Sequence, residues 1–220
     1  MNISKGDALD FLKSDVVYDF LFLSPADFNQ IYYNDEIFLP DNPEAYQQFL
    51  DELVSEAKPR KNFICTQVTD RMYNGIILPR STMMINAMAK HGWSIHTHKI
   101  WARHLKTDMF RMSYSHIITF CKGKYSAKQS KRFRPHVWVI PQPKSKIAHY
   151  HGECPVELVE RLLETYTVEG DIVCDPFCGS GTVGEVAKNM GRDYELCEYD
   201  EEIYNVAVER LSSKTLFDLV

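Results

Sequence analysis

Apolar residues in this 220-residue chain gather into short runs that alternate with longer stretches of helical period. Runs of strand length, rich in β-branched and aromatic side chains, cover 16–23, 62–68, 94–101, 116–121, 171–174 and 193–197. Helical spacing predicts helices over 42–57, 80–91, 155–166, 182–190 and 201–211, the first opened by Asn42 with Pro43 in the first helical position. This alternation calls for an α/β fold, a mostly parallel sheet with helices on both faces. The runs 94–101 and 116–121 follow one another without a helix, so they are expected to pair antiparallel at one edge of the sheet.

The most informative stretch is Val-Cys-Asp-Pro-Phe-Cys-Gly-Ser-Gly-Thr at 173–182, which joins an apolar run to a helical pattern. A strand, a glycine turn and a helix start place open N–H groups and closely approachable backbone at one point. The run 193–197 ends in Glu198, about 20 residues past the glycines, where a nucleotide-binding βαβ unit carries the carboxylate that holds ribose hydroxyls. The chain is therefore expected to bind a nucleoside cofactor. A dinucleotide site needs a third glycine, and Gly184 falls only loosely at that spacing. Asp175 before the turn would repel a pyrophosphate and suit the sulfonium and ammonium charges of S-adenosylmethionine.

Phe-x-Gly-x-Gly at 177–181, preceded by Asp175-Pro176, resembles motif I of the amino-methylating DNA methyltransferases, which make N6-methyladenine or N4-methylcytosine. The resemblance spans roughly residues 3–211 and implies a Rossmann-like S-adenosylmethionine-dependent methyltransferase fold. It implies that Asp7 and Ala8 lie at the cofactor's adenine edge and Glu198 at its ribose. Tyr199 would pack on the adenine, with Asp175, Pro176, Phe177, Cys178, Gly179, Ser180, Gly181 and Thr182 around the methionine part. Ser24-Pro25-Ala26-Asp27 sits where the family carries its Ser/Asp/Asn-Pro-Pro-aromatic catalytic loop. The stretch 93–124 looks like the strands flanking the target base, and 149–163 like the helix before motif I. Catalytic half first and cofactor half last is the order of the family's permuted β group. A single methyltransferase domain over 1–220 follows, divided into a catalytic half (1–121), a basic DNA-contacting region (122–148) and a cofactor-binding half (149–220).

In that family two acceptors draw on the hydrogens of an exocyclic amine whose lone pair is delocalised into the base. The first loop residue supplies a side-chain oxygen, and a backbone carbonyl of the loop supplies the other, so positioning and polarisation carry the catalysis. The target base must leave the duplex to reach them. Here Ser24 and Pro25 fit, but Ala26 replaces the second proline and Asp27 stands where the aromatic is expected. Phe28 would supply the stacking face in a loop one residue longer, with Asp27 an additional acceptor. Three readings stay open: an active amino-methyltransferase, a methyltransferase on a modified base or RNA, and a catalytically silent subunit that binds cofactor and nucleic acid. Ser in the first position leans toward N4 of cytosine.

Charge tells more by position than by total. The net charge is −5, yet 109–152 holds nine Lys or Arg and no Asp or Glu, which leaves sixteen basic against thirty acidic residues elsewhere. Lys122, Lys124, Lys128, Lys131, Arg132 and Arg134 form the densest part, interleaved with Tyr125 and Phe133. Such a loop either neutralises the phosphates of double-stranded DNA while its aromatics stack on unpaired bases, or is a solvated loop. It is too short for a separate recognition domain, so target reading is expected to be brief or shared, in a homodimer or with a second subunit.

Six cysteines without a Cys-x-x-Cys pair read as small buried thiols, and the His-x-His pairs 96/98 and 149/151 lack neighbouring ligands, so no metal is expected. No apolar stretch approaches membrane-spanning length and no leader is evident at Met1, so a cytoplasmic protein is expected, and the resemblance implies a restriction-modification setting.

Overall fold

The computed structural model describes residues 1–26, 32–33, 36–37, 42–103, 112–123, 133–144 and 153–212. In chain order the elements are β1 (Asn2–Lys5), α1 (Ala8–Lys13), β2 (Phe20–Leu23), β3 (Tyr32–Tyr33), β4 (Glu36–Ile37), α2 (Pro43–Glu56), β5 (Phe63–Val68), β6 (Arg71–Tyr73) and β7 (Ile76–Leu78). They continue with α3 (Arg80–Lys90), β8 (Ser94–Ala102), β9 (Tyr114–Cys121), β10 (Val137–Val139), α4 (Val156–Tyr166), β11 (Ile172–Asp175), α5 (Thr182–Asn189), β12 (Asp193–Glu198) and α6 (Glu201–Ser212).

Eight strands form one sheet in the order β1-β12-β11-β2-β5-β9-β8-β10. Neighbours run parallel except at β5–β9 and β9–β8, so the mostly parallel α/β sheet expected from the alternation is present. The antiparallel pair β8–β9 is also present, but not at the edge, because β10 adds outside β8 in parallel register. β10 was not legible beforehand. It has three residues, and its pairing partner lies 37 positions away, from Trp138 to Trp101. β1 and the six-residue α1 were missed for a related reason. Asn-Ile-Ser-Lys is a polar four-residue strand at the sheet's outer edge, with no apolar alternation to announce it.

Burial on both faces explains the continuous apolar runs. In β2, Phe20 and Phe22 enter one core layer while Leu21 and Leu23 enter the other. The first layer is closed by Leu158, Val159, Leu162 and Leu163 of α4, Val183, Val186 and Ala187 of α5, and Leu211 of α6. The second is closed by Leu12 of α1, Tyr46, Leu50, Leu53 and Val54 of α2, and Met84, Ala87 and Met88 of α3. α2 shows why the sequence signal was clear. Asn42 accepts from the Ala45 N–H at 2.8 Å, Pro43 fills the first turn, and its buried residues recur at helical spacing on one face.

Trp93 and Trp101 are buried as core residues, and Trp138 anchors the chain as it returns from the basic stretch. Phe133 corrects an expectation. Proposed as a base-stacking aromatic, it is buried edge-on against Trp138 and Tyr166, which places it in the core rather than on a nucleic-acid face. The cysteines are free thiols, five of them buried and Cys154 partly so. Among the described residues no helix is long and apolar enough to cross a membrane.

Candidate functional site

Parallel strands place their carboxyl ends on one rim, and four neighbours, β1, β12, β11 and β2, bring Asp7, Glu198, Asp175 and Ser24 to it. The turn after β11 is built by glycines. Gly179 and Gly181 take φ of 53° and 82°, the left-handed region that side chains resist. A Cβ on Gly181 would also lie 3.1 Å from Ala207 Cβ, since α6 presses against the turn. Gly181 stands at the N-cap of α5 with no side-chain cap bond. Gly184, discounted as a third glycine by its spacing, does make the close helix–strand approach: a Cβ there would meet Leu196 Cδ1 of β12 at 2.5 Å.

Three segments are tied together at this rim. Glu198 Oε2 accepts from the Gly179 N–H at 2.9 Å and Oε1 from the Asp200 N–H at 3.0 Å, while the Glu198 carbonyl accepts from the Gly6 N–H at 3.0 Å. Cys178 N–H donates to the Cys197 carbonyl at 3.0 Å. Asp7 caps α1, one carboxylate oxygen accepting from the Leu9 and Asp10 N–H groups, and Ala8 begins the helix. Asp200 caps α6 by accepting from the Ile203 N–H at 2.8 Å. Tyr199 is 38% exposed beside Glu198. The residues read from the sequence for the adenine edge, ribose and turn thus meet at one rim of the sheet, most of them buried, with Asp7 engaged in capping.

Asp175 is 2% exposed, and its Oδ1 accepts from the Phe177 N–H at 3.0 Å. Burial, reinforced by the nearby Glu198 carboxylate, raises its pKa to about 8 against the hydrogen bond from Phe177. Glu198 is likewise pushed up by burial, opposed by the N–H groups of Asp200 and Gly179. The sequence reading took Asp175 as anionic. With a pKa near 8 it holds its proton near neutrality, because among the described residues no cation offsets its desolvation. A pair of carboxyls held up in this way is an environment that a cationic ligand group would relieve.

Two arginines were missed by sequence reasoning. Arg210 of α6 donates from Nη1 to Ser180 Oγ at 3.1 Å, Thr182 Oγ1 at 3.0 Å and Glu153 Oε1 at 2.9 Å, and from Nε to Glu185 Oε2 at 2.7 Å. It holds the glycine turn from behind. Arg80, at the start of α3, reaches the Pro25 and Ala26 carbonyls. Only the fold makes either role visible, since a charged residue on a helical pattern reads as solvent-facing.

Ser24 and Pro25 follow β2 directly, beside β11. Asp27 and Phe28 lie outside the described residues, as do Lys124, Lys128, Lys131 and Arg132. Of the basic cluster, Lys122 and Arg134 are described and exposed, with Lys122 Nζ 4.5 Å from the Trp93 ring centroid.

Known proteins agree with this architecture. A Streptococcus pneumoniae relative, Type II methyltransferase M2.DpnII, is 34% identical over 119 residues, 52% of this chain and 41% of the relative. Its Lactococcus lactis counterpart, Type II methyltransferase M2.LlaDCHI, is 37% identical over 54% of this chain and 43% of its own. The chain thus spans less than half the length of these curated relatives. Among solved structures, the cytosine-N4-specific PvuII DNA methyltransferase superposes with a TM-score of 0.79 at 15% identity, covering 98% of this chain and 87% of that one. At that identity the likeness speaks for the fold. The model of the DNA methylase family N6_N4_Mtase matches residues 27–209, most of the sheet and the whole glycine turn, and the chain belongs to that family.

Proposed function

We propose that this chain transfers a methyl group from S-adenosylmethionine to the exocyclic amine of a base flipped out of double-stranded DNA, with N4 of cytosine ahead of N6 of adenine. The observation that carries it is the adjacency of the two expected half-sites. β11 pairs with β2 in the register Val173↔Phe20 and Cys174↔Leu21, so the strands deliver Asp175-Pro176-Phe177 and Ser24-Pro25 side by side. Neighbouring strands are about 5 Å apart, so the two half-sites open side by side, and a donor and an amine bound there would meet directly, without a covalent enzyme intermediate.

The residues present fit the cofactor by chemistry. Glu198 keeps acceptor capacity for ribose hydroxyls beyond its two N–H bonds. Asp7-Ala8 stands next along the rim for the adenine edge, and buried Asp175 suits a cationic methionine end. When bound, the sulfonium supplies the electrophilic methyl. A Thermus thermophilus protein of this fold, with a TM-score of 0.74 at 22% identity over 96% of this chain and 93% of that one, is known as its S-adenosyl-L-methionine complex, which supports the assignment. Ser24 Oγ and a loop carbonyl accept the amine hydrogens and direct the nitrogen lone pair toward the methyl. Asp27 serves as a further acceptor and Phe28 as the stacking face. The basic stretch around Lys122–Arg134 holds the phosphates, and its small size favours a second copy or subunit in reading the target.

Incubation with methyl-labelled cofactor and unmodified duplex DNA, followed by nucleoside mass spectrometry, tests the proposal. N4-methylcytosine is expected. N6-methyladenine would move the target, a product on RNA alone would move the substrate, and no product with cofactor bound would leave the silent-subunit reading that Ala26 and Asp27 raise.

A further inference from the structure

The loop that ends β2 is gripped from the side away from β11. Arg80 is 1% exposed, and its Nη2 donates to the Pro25 carbonyl at 3.3 Å and to the Ala26 carbonyl at 3.1 Å. Nη1 donates to the Thr69 carbonyl, just past the end of β5, at 3.1 Å. Nε and Nη2 both meet the hydroxyl of Tyr46, Nε at 3.2 Å, and the guanidinium carbon stands 5.0 Å from that ring's centroid. Tyr46 is fully buried in α2. One side chain therefore joins the loop after β2, the loop after β5 and a helix of the second core layer.

Burying a guanidinium is unfavourable unless its donors are used. Here donors are spent on backbone carbonyls of the very loop whose carbonyl is to accept a hydrogen from the target amine. A carbonyl oxygen has two lone pairs, and a guanidinium presents its N–H groups in a rigid planar fork. Nη2 shares its hydrogens between the two successive carbonyls and the Tyr46 hydroxyl, which restrains both peptide planes and hence the direction of the lone pairs left over.

We propose that Arg80 is a positioning residue for methyl transfer, orienting the Pro25–Ala26 carbonyls so that the loop's backbone acceptor points at the amine. This deepens the proposed function and rests on it. Tyr46 completes the device by holding the guanidinium in place. Cofactor binding is outside its reach, since Glu198 and the glycine turn are secured by their own contacts.

Two variants test it: Arg80→Lys keeps the charge and loses the fork, and Tyr46→Phe keeps the ring and loses the hydroxyl. Single-turnover methyl transfer, cofactor and DNA dissociation constants, and thermal melting are measured for each. Misplacing a catalytic acceptor by about 1 Å costs on the order of 100-fold, so a loss of about that size is expected for Arg80→Lys and about 5- to 10-fold for Tyr46→Phe, with cofactor affinity within about twofold of wild type. Wild-type transfer by variants that bind both ligands normally overturns the inference. A loss of cofactor affinity that matches the loss of rate also overturns it, by making the role structural. Should Arg80→Lys not fold, Tyr46→Phe decides alone. A wild-type protein that binds both ligands and transfers nothing removes the proposed function instead. In that event a crystal structure of Tyr46→Phe still decides, because an unmoved Pro25–Ala26 backbone rejects the positioning role.

Discussion

Replacing Asp175 by Asn isolates the electrostatic strain at the glycine turn. Below the ordinary carboxyl value of 3.8, folded and unfolded chains are both protonated there, and the residue adds no pH dependence. As pH rises from 3.8 toward about 8 the unfolded chain releases the proton while the folded one keeps it, so folding stability falls across that window. Above about 8 both forms are ionised and the loss levels off. Each unit of separation is worth roughly 1.4 kcal/mol, so the full window caps the effect at on the order of 5 kcal/mol, and about 2 to 4 kcal/mol is expected between pH 5 and 8.5. Asn has the same shape, still accepts from the Phe177 N–H through its oxygen, and does not titrate.

Urea denaturation of the cofactor-free protein at pH 5 and pH 8.5 therefore gives a fall in wild-type stability that Asp175→Asn does not share. In melting temperature the difference is about 4 to 16 °C for a chain of this size. A second measurement reads the cation. S-adenosylmethionine binding near pH 7 should release close to one proton from the wild type, seen by calorimetry in buffers of different ionisation enthalpy, and none from the variant. Parallel pH profiles for the two proteins, together with equal proton release, would refute the reasoning.

Other substitutions probe the same rim. Glu198→Gln turns one acceptor into a donor facing the Gly179 or Asp200 N–H, so cofactor affinity should fall by about tenfold or more, read by calorimetry. Gly184→Ala drives a methyl into Leu196 and Leu211 and should cost about 1 to 3 kcal/mol in urea denaturation, whereas Gly92→Ala, where open space surrounds a left-handed glycine, reports backbone strain alone. Arg210→Met frees Ser180 and Thr182 and is expected to weaken cofactor binding more than DNA binding, which fluorescence titrations would separate. Replacing Lys131, Arg132 and Arg134 by Ala should weaken DNA binding and lower the slope of log affinity against log salt by about 0.9 for each phosphate no longer neutralised, with cofactor affinity unchanged.

What the chain revealed about itself follows from how local each feature is. The sheet's central strands and the helices over 43–56 and 182–189 announced themselves, because both-face burial, helical spacing of buried residues and, at 43–56, the Asn42 cap write their pattern into adjacent residues. The glycine turn and Glu198 were legible because the spacing of a βαβ unit is itself a short-range property. The hairpin β6–β7 escaped despite its Asn74-Gly75 turn, whose φ angles of 49° and 81° suit a two-residue connection, because its strands have only three residues each. Phe133 misled because aromatic residues among lysines look like a stacking surface. Its partners Trp138 and Tyr166 come from later elements that only the fold brings together.

The same distinction separates the two halves of the site. The side proposed to hold the cofactor is built from segments tied together by hydrogen bonds to backbone N–H groups at the ends of adjacent parallel strands, so a few glycines and one carboxylate specify it. The loop proposed to carry the acceptors departs in sequence from the family pattern at Ala26 and Asp27. Its Pro25 and Ala26 carbonyls are met by Arg80, 54 positions downstream of Ala26, which is itself held by contacts to α2 and the end of β5. A loop held from outside can vary in sequence while its carbonyls keep their direction. The missing second proline, which would otherwise stiffen the loop from within, is then a substitution that the buried guanidinium is placed to offset.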